Sequence, residues 1–345
     1  MLIGNPNVGK TTLFNALTGA NAHVGNWSGV TVDKLVGSIK GKKAELIDLP
    51  GTYSVTPSSE DEGVVTYAII NESYNGFINI IDTTHFKRNL HLTIQLLEAN
   101  VPMMMTLNMI DALNKKGLTF DTKKFNEYVS NELVLVSARK GEGVSQVVDR
   151  LDHLSVKKPF RLYYGLTIEK AITQIIELVP QTVNQLDKRW VAIQALEGND
   201  GIYSILSDEE KKKIQQVVCT TESQIVESGD ALSLKGAIFN KRREWIHQVY
   251  QACIKPIPGA KVENEVKLTP IDRYLTHPVF GLFVFLFLMF VTYVLTFDWL
   301  GNPISDGFTA VLENWVTPTI SSMLLSLGLP EDGFIYGALI DGVLA

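Results

Sequence analysis

The apolar positions fall into two rhythms before residue 160. Val32 to Ile39 and Ala44 to Leu49 suit two strands joined by the turn Lys40-Gly41-Lys42-Lys43. Phe77-Ile78-Asn79-Ile80-Ile81 and Val101 to Leu107 are continuous apolar runs, the pattern of strands buried on both faces of a parallel sheet. Between them Leu90, Ile94 and Leu97 recur at helical spacing over 86–100, giving a strand-helix-strand unit. Leu2 and Ile3 start the chain as a short strand, and Leu133 to Val136 adds another. The expectation is an α/β domain with a mostly parallel six-stranded sheet and helices on both faces, over 1–155.

The rhythm then becomes helical. Ile168, Ala171, Ile172, Ile175, Ile176 and Val179 mark one face of a helix, and Trp190, Ile193 and Leu196 continue the theme. Ser207 and Glu210 have capping-box spacing and open a helix through Lys211-Lys212-Lys213, read as a solvated face, and the apolar Ile214, Val217 and Val218. A further helix carries Ile238, Trp245, Ile246 and Val249. An all-α domain over 156–255 is expected, then a linker over 256–279, because Lys255-Pro256-Ile257-Pro258-Gly259 cannot continue a helix. Phe280 to Phe297 is uncharged and apolar around its whole circumference, close to the roughly 20 residues of a spanning helix. Residues 299–330, interrupted by Pro303, Pro318 and Pro330, read as an interfacial segment, and Phe334 to Ala345 as the start of a second span. Both ends therefore read as truncated, with 280–345 a partial transmembrane region.

Composition narrows the function classes. A net charge of -6 over 345 residues argues against a broad nucleic-acid footprint, which needs clustered Lys and Arg. Two cysteines, Cys219 and Cys253, offer neither a disulfide framework nor zinc spacing, and both read as small buried side chains. No histidine pair falls at ligand spacing. No charged n-region precedes an apolar core at the start, so no signal peptide is expected. Lys255, Lys261, Lys267 and Arg273 precede the apolar run, whereas 298–345 contain no Lys or Arg; this bias puts the first 275 or so residues in the cytoplasm.

The chemistry is concentrated at the carboxyl edge of the expected sheet. Gly4-Asn5-Pro6-Asn7-Val8-Gly9-Lys10-Thr11 matches G-x-x-x-x-G-K-[ST] between an apolar start and a helical pattern, followed by Thr12. Its glycines let backbone N-H groups converge on phosphates, and the helix adds its positive end. Lys10 would reach the β- and γ-phosphates, and the Thr11 hydroxyl would bind Mg2+. Thr31 closes a glycine-punctuated loop, 19–29, and Asp48-Leu49-Pro50-Gly51 follows the next strand. Asp48 would stand near the Mg2+ shell and the Gly51 N-H would meet the γ-phosphate. Asn108-Met109-Ile110-Asp111 follows the 101–107 strand, and the Asp111 carboxylate can accept from guanine N1 and its exocyclic amine, a pair adenine lacks. Ser137-Ala138-Arg139 offers a backbone contact to the base carbonyl.

These motifs resemble the five guanine-nucleotide motifs of translation-factor-type P-loop GTPases. The run Asn26-Trp27-Ser28-Gly29-Val30-Thr31-Val32 is similar to the first switch of the FeoB family of bacterial ferrous-iron transporters. The resemblance covers the whole chain: a G domain, a helical nucleotide-affinity-modulating domain and membrane entry. It implies GTP/GDP, Mg2+ and K+ as cofactors, with Asn7 and switch carbonyls around Gly29 and Val30 ligating K+, and Thr31 joining Thr11 and Asp48 at Mg2+. It implies Lys10, Asn7, Thr31 and Gly51 as the catalytic group. It also implies Fe2+ as cargo by a route in later membrane helices, contact with membrane lipid, a small FeoA-like partner, homo-oligomers, and a multi-pass inner-membrane location. Met109 replaces the usual base-packing lysine, Thr52 stands where Ras-like proteins carry a water-positioning glutamine, and Ser28 replaces a proline; slow, potassium-stimulated turnover is the expectation. A membrane-tethered regulatory GTPase that transports nothing is the alternative. A soluble RNA-linked GTPase is a third, disfavoured by the acidic balance.

Overall fold

The computed structural model describes residues 1–20, 22–27, 33–56, 60–156, 158–180, 186–259 and 275–327, with Ile271, Leu329, Pro330, Gly333, Gly337 and Gly342. The chain divides into two compact units, Met1–Asn264 and Glu265–Ala345.

The first unit contains a sheet of β1 (Leu2–Gly4), β2 (Ala22–Asn26), β3 (Asp33–Ser38), β4 (Glu45–Asp48), β5 (Phe77–Asp82), β6 (Met103–Asn108) and β8 (Glu132–Leu135), while β7 (Leu118–Phe120) lies outside it. The spatial order is β2-β3-β4-β1-β5-β6-β8. All pairs from β4 to β8 are parallel, and β2 and β3 form an antiparallel edge. The α/β expectation holds, with seven strands in place of six. The extra strand is β2, which falls inside the stretch read as a loop. It is defined by backbone pairing to β3, from Ala22 opposite Gly37 to Asn26 opposite Asp33. Its Ala22, His23 and Val24 side chains are exposed, so no apolar pattern announces it.

Strict alternation in β5 feeds two cores. Ile78 and Ile80 pack with Leu13, Phe14 and Leu17 of α1 (Lys10–Thr18) and with Val147 of α6 (Val144–Arg150). Phe77 and Ile81 face the other way, with Val64, Val65 and Ala68 of α2 (Glu60–Asn71) and Leu90, Ile94 and Leu97 of α3 (Phe86–Glu98). Asn79 shares that face and donates to Thr93 Oγ1 of α3 at 2.8 Å, so the buried amide is satisfied. Two shorter helices, α4 (Ile110–Lys115) and α5 (Thr122–Val129), complete the domain.

The second core continues without interruption into α7 (Leu166–Leu178), α8 (Lys188–Leu196), α9 (Asp200–Tyr203), α10 (Asp208–Ser228) and α11 (Leu234–Cys253). The predicted capping box is present at the start of α10. Lys211 and Lys213 of the lysine triplet pair with Asp208 and Glu209 along the exposed face of α10. Cys253 is buried as expected, whereas Cys219 is exposed. The linker starts later than its prolines suggest. Ile254–Pro256 forms β9, antiparallel to β7, with Leu118 opposite Pro256 and Phe120 opposite Ile254. Proline is compatible with an edge strand of this kind because the edge needs no donor there.

In the second unit Phe280–Ser326 is one helix of 47 residues, long and apolar enough to cross a membrane. The breaks expected at Pro303 and Pro318 do not occur, whereas Pro330 lies beyond the end of the helix at Ser326. Pro303 and Pro318 sit in the first turn after the π-helical stretches Leu295–Gly301 and Leu312–Val316. A π turn widens the spiral and frees the carbonyl a proline would clash with, so the helix continues past both rings. At 1.5 Å per residue the helix is about 70 Å long, more than twice the roughly 30 Å hydrocarbon thickness.

Candidate functional site

Between β1 and α1 the backbone curls through left-handed conformations at Asn7 (φ 63°) and Gly9 (φ 89°). Gly9 is required twice over: its φ disfavours any side chain, and a Cβ there would lie 2.5 Å from Asn108 Nδ2. Gly4 is equally confined, since a Cβ would come within 2.7 Å of the Ile80 carbonyl oxygen. Val8 is buried beneath the turn. Asn7, Thr11 and Thr12 are exposed at the open N-terminal end of α1, as a phosphate cradle demands. Asn5 is buried, and its Nδ2 has no partner among the described groups.

Lys10 crosses to the end of β4. Its Nζ donates to Asp48 Oδ1 at 2.7 Å and to the Leu49 carbonyl at 2.5 Å. Burial raises the pKa of the Asp48 carboxyl, and the Lys10 charge opposes that rise. The D-x-x-G turn comes back against the P-loop at Gly51, where a Cβ would sit 3.3 Å from Pro6. Gly51 is exposed and Pro50 half-buried. Thr52 is fully buried and its hydroxyl donates to the Ser54 carbonyl at 2.7 Å, so it cannot orient a water as a glutamine would.

Asn108 is the strut that joins the phosphate side to the base side. Its Nδ2 donates to the Val8 carbonyl at 2.8 Å, its Oδ1 accepts from the Ala138 N-H at 3.0 Å, and its own carbonyl accepts from Thr83 Oγ1 at 2.8 Å. Met109, left-handed at φ 64°, turns the chain into α4 and puts Asp111 in its first turn. Ser137 Oγ lies 3.4 Å from one Asp111 oxygen and Lys140 Nζ 3.4 Å from the other. Burial acts to raise this carboxyl, but the Lys140 hydrogen bond and charge, with backbone N-H groups, hold its pKa below the ordinary value. It stands charged and ready to accept. Ser137 and Ala138 are buried, their N-H groups taken up by Asn108 and by the Glu142 carbonyl, and Arg139 is exposed. The fold thus brings together all the expected site residues except Gly29, Val30 and Thr31, which lie outside the described residues.

Residues that sequence reasoning missed link this site to the helical domain. The second switch, which the resemblance puts at 48–65, is pinned in its described part by Gln95 of α3, whose Oε1 accepts from Ser54 Oγ at 3.0 Å and from the Val55 N-H at 2.5 Å. Thr56 Oγ1 donates across to Gln194 Oε1 of α8 at 3.1 Å, and Gln194 Nε2 donates to Glu197 at 3.1 Å. Glu197 and Glu98 both receive the buried Arg242 guanidinium, at 2.6 and 2.8 Å, and the Tyr164 hydroxyl donates to Glu98. Two carboxylates around one guanidinium leave excess negative charge. Burial first, and Glu197 in addition, raise the pKa of Glu98 against the pull of Arg242. One signal was available: Arg242 falls between Ile238 and Ile246 at four-residue spacing, on the apolar face of α11.

Comparison with known proteins agrees with this geometry. The family described as "Ferrous iron transport protein B" matches residues 1–151, and "FeoB cytosolic helical domain" matches 164–255. The Fe(2+) transporter FeoB of Staphylococcus aureus (strain COL) is 36% identical over 349 residues, covering 100% of this chain and 51% of that protein. A Porphyromonas gingivalis protein described as an Fe(2+) transport protein A/Fe(2+) transporter FeoB fusion is 31% identical, covering 99% of this chain and 41% of its own length. The chain thus spans about half the length of the curated relatives it matches. A crystal structure of a GDP-bound mutant of the S. thermophilus FeoB G-domain is 35% identical, with a TM-score of 0.67, covering 74% of this chain and 98% of that one. With a G domain and a helical domain matched in the order the fold presents them, the chain belongs to the FeoB family.

Proposed function

We propose that the chain binds and hydrolyses GTP on the cytoplasmic face of a bacterial inner membrane, as the nucleotide module of a multi-pass Fe2+ transporter. The observation that carries the reading is the Asn108 strut. One side chain fixes the P-loop carbonyl of Val8 and the Ala138 N-H, so phosphate cradle and guanine-reading carboxylate are held at one spacing. The GDP-bound structure of the S. thermophilus G-domain supports guanine as the base.

The residues present fit a divalent ion. The exposed Thr11 hydroxyl and the Asp48 carboxylate lie on the phosphate side, and Mg2+ held mostly by phosphates and water needs no larger acidic cluster. Thr31, outside the described residues, is proposed to join them, and Asn7 with the Gly29 and Val30 carbonyls to hold K+. These ions would supply positive charge where it develops at the γ-phosphate. The chain's own part is to orient the phosphates on backbone amides, to place Lys10 beside them, and to donate the Gly51 N-H. Lys10 must leave Asp48 to do so, which ties arrival of phosphate to release of the second switch.

Buried Thr52 supports slow intrinsic turnover, because no side chain at that position reaches the attacking water. The Thr56–Gln194 contact is the proposed route by which the switch affects the helical domain and, beyond it, the membrane region. The Porphyromonas fusion protein supports a FeoA-like partner. Hydrolysis measured in KCl and in NaCl tests the cation: equal rates remove K+ from the account. Fe2+ uptake into liposomes holding the full-length transporter, with GTP and with a non-hydrolysable analogue, tests the coupling. No uptake under either condition would leave a tethered switch that moves nothing.

A further inference from the structure

A cleft runs between α3 and α11 and opens against Tyr53, Ser54 and Thr56 of the second switch. It consists of adjoining hollows of about 480 and 890 Å3 that share Arg88 and His91, within the size range of small-molecule sites. Lys87, Arg88, Lys235 and Arg243 line it, and among the described residues none of the four meets a carboxylate within ion-pair distance. The rim carboxylate, Glu244, is held by Lys241 at 2.9 Å. In a chain of net charge -6, four unopposed cations converging on one concavity are a local reversal of sign. His91 records the same field: burial first, then Arg242 and Arg243, hold its imidazole below the ordinary pKa.

The walls also carry flat surfaces. His91 and Phe239 stack with centroids 5.0 Å apart and planes 5° from parallel, and Phe239 is 48% exposed. Arg88 lies 4.2 Å over the Tyr53 ring, tying one cation of the cleft to the switch. The floor is Gln95, Glu197 and Arg242, the network that holds Ser54, Val55 and Thr56. A concave basic wall beside an exposed ring suits a small phosphate ester better than a membrane, which presents a broad surface.

We propose that this cleft is a second ligand site, taking a small phosphate-bearing anion of nucleotide size, with its phosphates on Arg88, Arg243 and the flanking lysines and its planar part on Phe239. A ligand there rests on the second switch, so its affinity and that of the P-loop nucleotide are linked, each altering the other by the same factor.

The test uses the intact chain in detergent, saturated with GDP so that the P-loop is occupied, and titrated with pyrophosphate and with ADP by calorimetry. Saturable binding of both is expected, weakened at least tenfold in the R88Q/R243Q double variant. The K212Q/K213Q variant of the solvated lysine face should bind as the parent does. No saturable binding to the parent, equal binding to R88Q/R243Q, or an equal loss in K212Q/K213Q overturns the proposal. So does binding only to phosphatidylserine vesicles or to poly-glutamate that R88Q/R243Q abolishes, which would make the face a docking surface. The substitutions lie outside the P-loop, so the difference between parent and variant reads the cleft even if GDP binds poorly, and a separate titration of the nucleotide-free parent with GDP judges the guanine reading.

Discussion

The nucleotide site and the Arg242 junction are both polar clusters on one continuous fold, and they handle polar groups in opposite ways. At the nucleotide site the groups are presented: Asn7, Thr11, Thr12 and Gly51 are exposed, and Asp111 keeps 31% of its side chain open. At the junction the groups are consumed: Arg242, Glu98 and Glu197 satisfy each other in near-complete burial. A site that must bind leaves its hydrogen-bonding capacity unspent, whereas a cluster that only joins elements closes its own. The second switch runs between the two, with Lys10–Asp48 at one end and Thr56–Gln194 at the other.

The contrast breaks most readily at the junction. Arg242→Met strands two buried carboxylates and should cost about 3–5 kcal/mol in a urea melt; an unchanged midpoint would mean the junction does not hold the domains together. Asp111→Ala should act the other way. Loss of two hydrogen bonds to a charged acceptor weakens GDP by about 3 kcal/mol, roughly a hundredfold in Kd, with the melting midpoint of the unliganded protein barely moved. A comparable loss of stability there would erase the distinction between the two clusters. Gln194→Ala sits between them: about 1 kcal/mol off stability together with a measurably altered GDP release rate, read by stopped-flow fluorescence. A change in stability alone would separate the switch from the helical domain. The smallest effect is expected of Met109→Lys, which restores a cation at the base and should tighten GDP by under about 1 kcal/mol, checked by the same titration.

How far these features were legible follows the physics of each. The P-loop, D-x-x-G and N-x-x-D motifs are local and their residue types are dictated by chemistry, so Gly9, Asp48 and Asp111 stand where their spacing predicts. β5 and β6 are apolar throughout and announce themselves. β2 escaped because its side chains are exposed and only its backbone is paired. β9 escaped because Pro256 reads as a breaker, while an edge strand tolerates it. Pro303 and Pro318 misled in the same sense, their clash being relieved by π turns that no composition reveals. The Gln95–Gln194–Glu197–Arg242 network could not be read at all as a network, since its members are scattered along the chain and meet only after folding.

The pairing of β9 with β7 bears on how two helix ends hold together. The Gly117 carbonyl, just beyond the short helix that carries Asp111, accepts from the Ile257 N-H at 2.8 Å, and the Cys253 carbonyl accepts from the Asp121 N-H at 2.8 Å. The segment that leaves α11 is therefore held beside α4, the short helix that carries Asp111. A substitution that unpairs this three-residue ladder would therefore loosen the carboxyl end of α4 and the end of α11 together.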